Sequence, residues 1–123
     1  MSSLIAIVDD DSTLRTIVKG ILEARGYQVF EADSAAACLN LCNTICPDLI
    51  LLDALMPEMD GFECCRKLRS RFTKDELPIV MVTGLEDAST ASKVMTAGAN
   101  EYVAKPIQWP KLFAAIGGVL AAT

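Results

Sequence analysis

Short apolar runs punctuate the chain, and each run is too short to form a helix. Three of them are continuous and rich in branched residues, which is typical of central strands covered on both faces of a parallel sheet. Four buried strands are predicted in all, at 4–8, 49–52, 79–82 and 102–104. The segment 28–32 is more polar and alternates, so we place it at an edge of the sheet.

Helical patterns fill the intervals between these strands. Apolar residues from Leu14 to Leu22 recur at positions i, i+3, i+4, i+7 and i+8, and Gly26 is the expected stop. Further helices are predicted near 34–45, 61–71, 87–98 and 112–120. Ser34 and Asp87 are the predicted N-caps of the first and third of these. The result is a βα unit repeated five times with right-handed crossovers, which predicts one doubly wound α/β domain over residues 1–123.

The predicted strands end at side chains that suit phosphate chemistry. The first runs into Asp9-Asp10-Asp11, and the others end at Asp53, Thr83 and Lys105. All carboxyl ends of an open parallel sheet lie along one edge, and ligands bind in the crevice just outside it. Several carboxylates, a hydroxyl and an ammonium in one pocket suit a divalent cation with a phosphoryl group. Asp11 is better explained as a helix cap than as a third metal ligand.

Composition narrows the functions further. The net charge is −5, whereas a nucleic-acid binder needs a basic footprint, and the densest basic stretch, 66–74, fits one solvated helix face. The chain contains no histidine, which excludes imidazole metal sites and histidine acid–base catalysis within it. Its five cysteines do not suggest a disulfide framework. No apolar run approaches the roughly 20 residues that span a bilayer, and no signal peptide is evident, so we expect a cytoplasmic protein.

Four sequence motifs carry a resemblance to a known family. They are IVDDD at 7–11, LDALMPEMDG at 52–61, MVTG at 81–84 and YVAKP at 102–106. In this order and spacing, they resemble the receiver domain of two-component response regulators along the whole chain. The resemblance implies a flavodoxin-like (βα)5 sheet of strand order 2-1-3-4-5. It also leaves open that the chain is the N-terminal fragment of a larger protein.

The resemblance implies a role for each residue at the sheet edge. Asp53 matches the phosphoacceptor, which takes a phosphoryl group from a phosphohistidine on a sensor histidine kinase or a histidine phosphotransfer protein. Asp9 and Asp10, with Asp53 and the backbone carbonyl of Leu55, match the residues that hold Mg²⁺, a hard cation that prefers oxygen ligands. Lys105 matches the cation that pairs with a phosphoryl oxygen.

The same resemblance implies a way to signal. Thr83 matches the switch hydroxyl, and Tyr102 matches the aromatic residue that reports its movement to an output domain or an effector protein. Leu55 and Leu85 flank the expected path of the hydrolytic water and cannot orient it, so we expect slow autodephosphorylation. Gly61 is expected to permit the loop geometry after Asp60.

The end of the motif region gives a further hint. The segment IQWP at 107–110 resembles the end of receivers fused to enzymes that make or degrade cyclic-di-GMP.

Two other functions stay open at this point. One is a receiver-like interaction module that never takes a phosphate. The other is a haloacid dehalogenase-type phosphatase, because Asp9, Asp11 and Thr13 fit its D-x-D-x-T motif. That family also needs an acidic pair after its lysine, and beyond Lys105 the sequence contains no Asp or Glu. We therefore expect a signalling switch and not an enzyme beyond its own phosphotransfer and slow autodephosphorylation.

Overall fold

The computed structural model describes residues 3–85 and 87–121. Within these residues, five strands alternate with five helices, as the apolar runs predict. In chain order they are β1 (Leu4–Val8), α1 (Ser12–Ala24), β2 (Gln28–Ala32), α2 (Ala35–Thr44), β3 (Leu49–Asp53), α3 (Gly61–Arg69), β4 (Ile79–Thr83), α4 (Thr90–Ala97), β5 (Glu101–Ala104) and α5 (Trp109–Ala121).

The strands form one parallel sheet of order β2-β1-β3-β4-β5. This flavodoxin-like order confirms the predicted fold. Every residue of β3 and β4 is buried, because helices cover both faces of these central strands. The predicted edge strand, β2, is largely exposed. Its polar residues therefore face solvent at little cost. Strand β5 forms the opposite edge of the sheet, and Val103 is its one buried residue, so the prediction of a buried strand at 102–104 is wrong.

Two apolar layers, one on each face, hold the helices to the sheet. On one face, α1 and α5 contribute the buried residues Val18, Leu22, Leu112 and Ile116. On the other, buried residues of α2, α3 and α4 pack together, and four of the five cysteines lie in this layer. Cysteine there acts as a small apolar side chain. Among the described residues, no helix is long and apolar enough to cross a membrane.

Most of the predicted helix ends are confirmed. The Asp11 carboxylate accepts hydrogen bonds from the N–H groups of Thr13 and Leu14, and Ser34 caps α2 through the N–H of Ala37. Such caps each contribute about 1 kcal/mol. Gly26 follows the end of α1 with φ of +92°, a conformation that costs glycine little.

The predicted N-cap at Asp87 is wrong. Helix α4 begins at Thr90, and Ser89 occupies the cap position. The Asp87 carboxylate instead accepts hydrogen bonds from the N–H and the hydroxyl of Ser89, at 2.9 and 2.6 Å. Aspartate readily closes such a local turn two residues ahead of itself. The Asp87 carboxylate therefore closes this turn and does not cap the helix, and α4 begins later than predicted.

Arg69 departs from the predicted solvated basic face of α3. It is partly buried, and its guanidinium donates to the backbone carbonyls of Gly98 and Leu77 at 2.6 and 2.8 Å and to Oδ1 of Asn100 at 2.8 Å. These bonds connect the end of α3 to the loop that precedes β4 and to the loop that precedes β5. Arg66 and Lys67, on the same helix, are exposed as predicted.

Candidate functional site at the carboxyl edge of the sheet

Four elements deliver the predicted site residues to one edge of the sheet. Asp53 and Thr83 are the last residues of β3 and β4, while Asp9 and Lys105 directly follow β1 and β5. The register pairs Val8 with Leu52 and Thr83 with Ala104, so the strand ends are level. Residues about fifty positions apart in sequence are thereby brought to one crevice, as expected for a parallel sheet.

Three carboxylates converge in this crevice. One oxygen from each of Asp9, Asp10 and Asp53 lies within 4.8 Å of the others. Asp9 and Asp53 are each only 5% exposed, whereas Asp10 is open to solvent. Buried like charges at this separation repel one another strongly, so the cluster needs positive charge.

Lys105 supplies part of that charge. Its Nζ lies 3.1 Å from Oδ2 of Asp9 and 3.2 Å from Oδ1 of Asp53. Burial acts to lower the pKa of Lys105, but the ion pairs with Asp9 and Asp53 outweigh it, and the pKa is raised. The ammonium is therefore charged across the physiological range. The Lys105–Pro106 peptide bond is cis.

One ammonium does not compensate the cluster. Burial raises the pKa of Asp53 and repulsion from Asp9 adds to it, while Lys105 and a hydrogen bond from the Leu55 N–H act in the opposite direction. The net upward shift of the pKa shows that the charged form of Asp53 is short of stabilising partners. Three carboxylates, with one side open to solvent at Asp10, fit a hard cation such as Mg²⁺ that prefers oxygen ligands and keeps several waters.

The other predicted residues lie beside this cluster. Thr83 is fully buried, and its hydroxyl accepts a hydrogen bond from the N–H of Leu85 at 3.0 Å. Tyr102 is half-buried on β5 and packs against the apolar layer that contains Val94 of α4. It therefore lies on the face of the sheet that α2, α3 and α4 cover, and it also lines an open groove with Lys111, Ala114 and Ala115 of α5. Leu55 is 54% exposed in the loop after Asp53.

Leu55 and Leu85 share an open groove between the β3–α3 loop and α4. Further residues along this groove are Asp60, Phe62, Arg66, Ser89, Ser92, Lys93 and Thr96. The two leucines, which follow Asp53 and Thr83 by two residues each, therefore line one groove. Their place on the path of the hydrolytic water stays a prediction. The groove lining is partly apolar, and its charged residues are the cations Arg66 and Lys93 and the anion Asp60. A carboxylate or phosphate that approaches from this side therefore meets more cations than anions.

Glycine is needed at position 61 for a different structural reason from the one predicted. A β-carbon at this position would lie 2.1 Å from the carbonyl oxygen of Asp53 and 2.9 Å from the α-carbon of Ala54. The backbone of α3 thus packs directly against the strand that carries Asp53, and the Gly61 N–H donates to the Ala54 carbonyl at 2.9 Å. Glycine is required here by close approach, while the left-handed residue of the loop is Glu58, with φ of +68°.

Sequence reasoning missed Arg15. This residue lies one turn into α1, and its Nη1 donates to the backbone carbonyl of Asp9 at 2.7 Å. Its Nε donates to Oε1 of Glu31 on β2 at 3.2 Å. The one available signal is that Arg15 is the first basic residue after the acidic run, which does not reveal the direction of its side chain.

Fold and site together define a class: an open parallel α/β protein with an acidic, lysine-containing pocket at the carboxyl edge. Comparison with known proteins narrows this class to one family. A model of the response regulator receiver domain matches residues 5–117. The chain belongs to the response regulator receiver domain family, whose members are signalling proteins of two-component systems.

Individual relatives agree with this assignment. The chain is 40% identical over 120 residues to the transcriptional regulatory protein AfsQ1 of Streptomyces coelicolor, which covers 98% of this chain and 52% of that protein. A CheY-like receiver domain protein from Methanospirillum hungatei superposes with a TM-score of 0.90 at 30% identity, covering 99% of this chain and 96% of the other.

A third relative carries a second domain. A two-component response regulator with a GGDEF domain superposes with a TM-score of 0.91 at 29% identity, covering 98% of this chain and 50% of the other. The chain also spans about half the length of the curated relatives it matches.

Proposed function

We propose that this chain is a phosphorylation-activated switch in which Asp53 accepts a phosphoryl group. The donor is a phosphohistidine on a sensor histidine kinase or a histidine phosphotransfer protein, and the reaction depends on Mg²⁺. The observation that carries the proposal is the meeting of Asp9, Asp10 and Asp53 with Lys105 at one sheet edge. Membership of the receiver family supports the same chemistry.

The phosphoryl transfer follows from the positions of these side chains. An oxygen of Asp53 attacks phosphorus in line with the bond to the donor imidazole. That P–N bond breaks, its electron pair goes to the imidazole nitrogen, and an acyl phosphate forms on Asp53. Lys105, already 3.2 Å from an Asp53 oxygen, pairs with a phosphoryl oxygen in the transition state.

Asp9 and Asp10, with Asp53 and the carbonyl of Leu55, are the groups that would hold Mg²⁺. The ion supplies positive charge that offsets the repulsion between the carboxylates and the incoming phosphoryl group. The raised pKa of Asp53 supports this need, because Lys105 by itself leaves its charged form under-stabilised. The ionised Asp53 is also the form that can act as a nucleophile.

The switch begins at Thr83. In the structure its hydroxyl oxygen accepts a hydrogen bond from the Leu85 N–H. On phosphorylation the hydroxyl donates to a phosphoryl oxygen, and the loop after β4 follows it. Tyr102, which packs against the apolar layer beneath α2, α3 and α4, then changes position together with α4. The rearranged surface of α4, β5 and α5 is what an output domain or an effector protein reads.

The phosphorylated state is long-lived. Leu55 and Leu85 lie two residues after Asp53 and Thr83, at the positions that flank the expected path of the hydrolytic water in the receiver family, and neither side chain can donate or accept a hydrogen bond to orient it. Slow hydrolysis suits a switch whose signal outlasts the encounter with its kinase.

The output lies outside the receiver itself. Because relatives are about twice as long as this chain, we propose that residues 1–123 act as one receiver domain and can be part of a larger protein. A cyclic-di-GMP enzyme is one candidate output, in line with the GGDEF relative. AfsQ1, named a transcriptional regulator, points to another kind, although the net charge of −5 argues against nucleic-acid binding by this domain. A cytoplasmic location stays a prediction.

The phosphatase alternative loses support from the position of Asp11. In that mechanism Asp11 would act beside the nucleophile Asp9, but its carboxylate is engaged in capping α1. The phosphate-independent interaction module is the remaining alternative, and the experiment below separates it from the switch.

The test is intact-protein mass after incubation with Mg²⁺ and a small-molecule phosphodonor. We expect one phosphoryl adduct, lost on chelation of the metal and in Asp53→Asn. Asp33→Asn is the matched control, because Asp33 follows β2 at the same edge, is exposed and lies outside the cluster. The control variant should be phosphorylated like the wild type. Absence of the adduct, together with absence of Mg²⁺ and beryllofluoride binding, would favour the interaction module.

A further inference from the structure

Arg15 hydrogen-bonds to the backbone of Asp9, the first residue of the acidic cluster. Its side chain is 15% exposed, and it donates to the Asp9 carbonyl from Nη1 and to Glu31 from Nε. Glu31 lies on the edge strand β2, whose last residue, Ala32, accepts a hydrogen bond from the Asp9 N–H. The backbone of Asp9 is therefore hydrogen-bonded both to helix α1, through Arg15, and to strand β2, through Ala32.

Every polar group of Asp9 has a partner in the described part of the chain. Its N–H donates to Ala32, Oδ1 accepts from the Asp11 N–H at 2.9 Å, and Oδ2 accepts from Lys105 at 3.1 Å. Its carbonyl oxygen accepts from Arg15. The first two partners are backbone groups and Lys105 lines the pocket. The Arg15 bond is therefore the contact that a substitution can remove while the pocket stays intact.

We infer that Arg15 is a positioning residue that fixes Asp9 for binding the divalent cation, and that Glu31 keeps the charge of Arg15 from opposing that cation. The inference rests on the proposed function, since it concerns the same Mg²⁺ site. A group that orients a metal ligand without touching the metal commonly changes metal affinity by about 10- to 100-fold.

Charge alone would give Arg15 the opposite effect. A guanidinium behind Asp9 repels a divalent cation, so removing it would tighten binding if charge decided the outcome. However, Oε1 of Glu31 lies 3.2 Å from Nε of Arg15, and Oε2 lies 3.7 Å from Nζ of Lys19. The Glu31 carboxylate is shared with Lys19 but lies nearer to Arg15, so it offsets part of the guanidinium charge. What the substitution removes is therefore mainly the hold on the Asp9 backbone.

Lys19 provides a matched control. It lies on α1 one turn beyond Arg15 and reaches the same Glu31 carboxylate, but its side chain is 39% exposed. Exposed ion pairs of this kind contribute little. Lys19→Met removes the same unit of charge near Glu31 as Arg15→Met, while the hydrogen bond to the Asp9 carbonyl stays in place.

The experiment is a calorimetric titration of the whole chain with Mg²⁺ alone, in the wild type, Arg15→Met, Arg15→Lys and Lys19→Met. We expect the Kd to rise about tenfold in Arg15→Met. Arg15→Lys should recover part of the loss, because its ammonium can still donate to the Asp9 carbonyl. Lys19→Met should stay within about twofold of the wild type.

A readout without metal accompanies the titration. The Asp11 N–H donates to Oδ1 of Asp9, so its hydrogen exchange in the presence of a chelator reports whether Asp9 is held in place. Arg15→Met should exchange this amide faster than Lys19→Met does. Equal exchange in the two variants would overturn the inference.

The outcomes of the titration separate the inference from the proposed function. If the wild type binds Mg²⁺ and Arg15→Met binds it equally well or more tightly, the positioning role of Arg15 is wrong. If the wild type itself fails to bind Mg²⁺, the proposed function fails, and the amide exchange still decides whether Arg15 fixes Asp9.

Discussion

Replacing Gly61 with alanine tests how closely α3 packs behind the phosphoacceptor strand. The added carbon would lie 2.1 Å from the Asp53 carbonyl oxygen, and its next neighbours, at 2.9 Å, are also backbone atoms. Neither side can yield easily, because β3 is hydrogen-bonded on both edges and the Gly61 N–H is bound to Ala54. Overpacking in a tight core costs about 1–3 kcal/mol, and a clash with backbone belongs at the upper end.

We therefore expect Gly61→Ala to destabilise the domain by about 3 kcal/mol. At roughly 4 °C per kcal/mol for a domain of this size, the melting temperature should fall by roughly 10 °C. Urea unfolding followed by circular dichroism measures the free energy of unfolding directly, and a thermal scan gives the second value. Since the clash pushes on the backbone of Asp53, the variant should also take up phosphate more slowly.

Gly20→Ala is the control for this substitution. Gly20 lies inside α1, and a β-carbon there meets nothing within 4 Å. Alanine should therefore stabilise the helix by about 0.5–1 kcal/mol. If Gly61→Ala unfolds at the same urea concentration as the wild type, the close approach of α3 to β3 is wrong, and so is the reason given for glycine at this position.

Three further predictions concern the site. Burial and repulsion from Asp9 raise the pKa of Asp53 above its value of about 4 in the unfolded chain. In the metal-free protein, the stability that this shift contributes is therefore fully present below about pH 4 and is lost as the pH rises through the folded pKa. The difference in free energy of unfolding between Asp53→Asn and the wild type should therefore favour the variant more at pH 7 than at pH 4. The same difference at both pH values in urea unfolding would contradict this. Lys105→Met should slow single-turnover phosphorylation by about 100-fold, as loss of a transition-state partner does, and a rate near that of the wild type would count against its role. Leu55→Asn should hasten loss of the phosphoryl group by about tenfold, equivalent to about 1.4 kcal/mol, and an unchanged lifetime would show that Leu55 does not slow hydrolysis.

The sequence alone predicts the layered fold because its signal is strong and local. Continuous apolar runs such as those ending at Asp53 and Thr83 need cover on both faces, and the amphipathic segments between them provide it. The convergence of Asp9, Asp53 and Lys105 follows from strand direction alone, since parallel strands end at one edge. The strand order itself came from the family resemblance, because many orders satisfy the same alternation.

Where prediction failed, the deciding contact lies outside the local pattern or competes with it. Asp87 and Ser89 are both good cap residues, and the choice between a turn and a cap is decided by the geometry of the loop. Arg15 and Arg69 look like ordinary surface cations, but each donates to a backbone carbonyl that lies outside its own helix. The purpose of Gly61 depends on a strand eight residues earlier, which composition cannot show.

The most direct test of the central claim locates the phosphoryl group. After phosphorylation of the whole chain with Mg²⁺ and a small-molecule donor, borohydride reduces an acyl phosphate of aspartate to homoserine, and peptide mass spectrometry identifies the converted residue. Our account predicts homoserine at position 53, dependent on Mg²⁺ and absent without the donor. Conversion at Asp9 or Asp10, or phosphorylation of a hydroxyl that borohydride leaves unchanged, would contradict it.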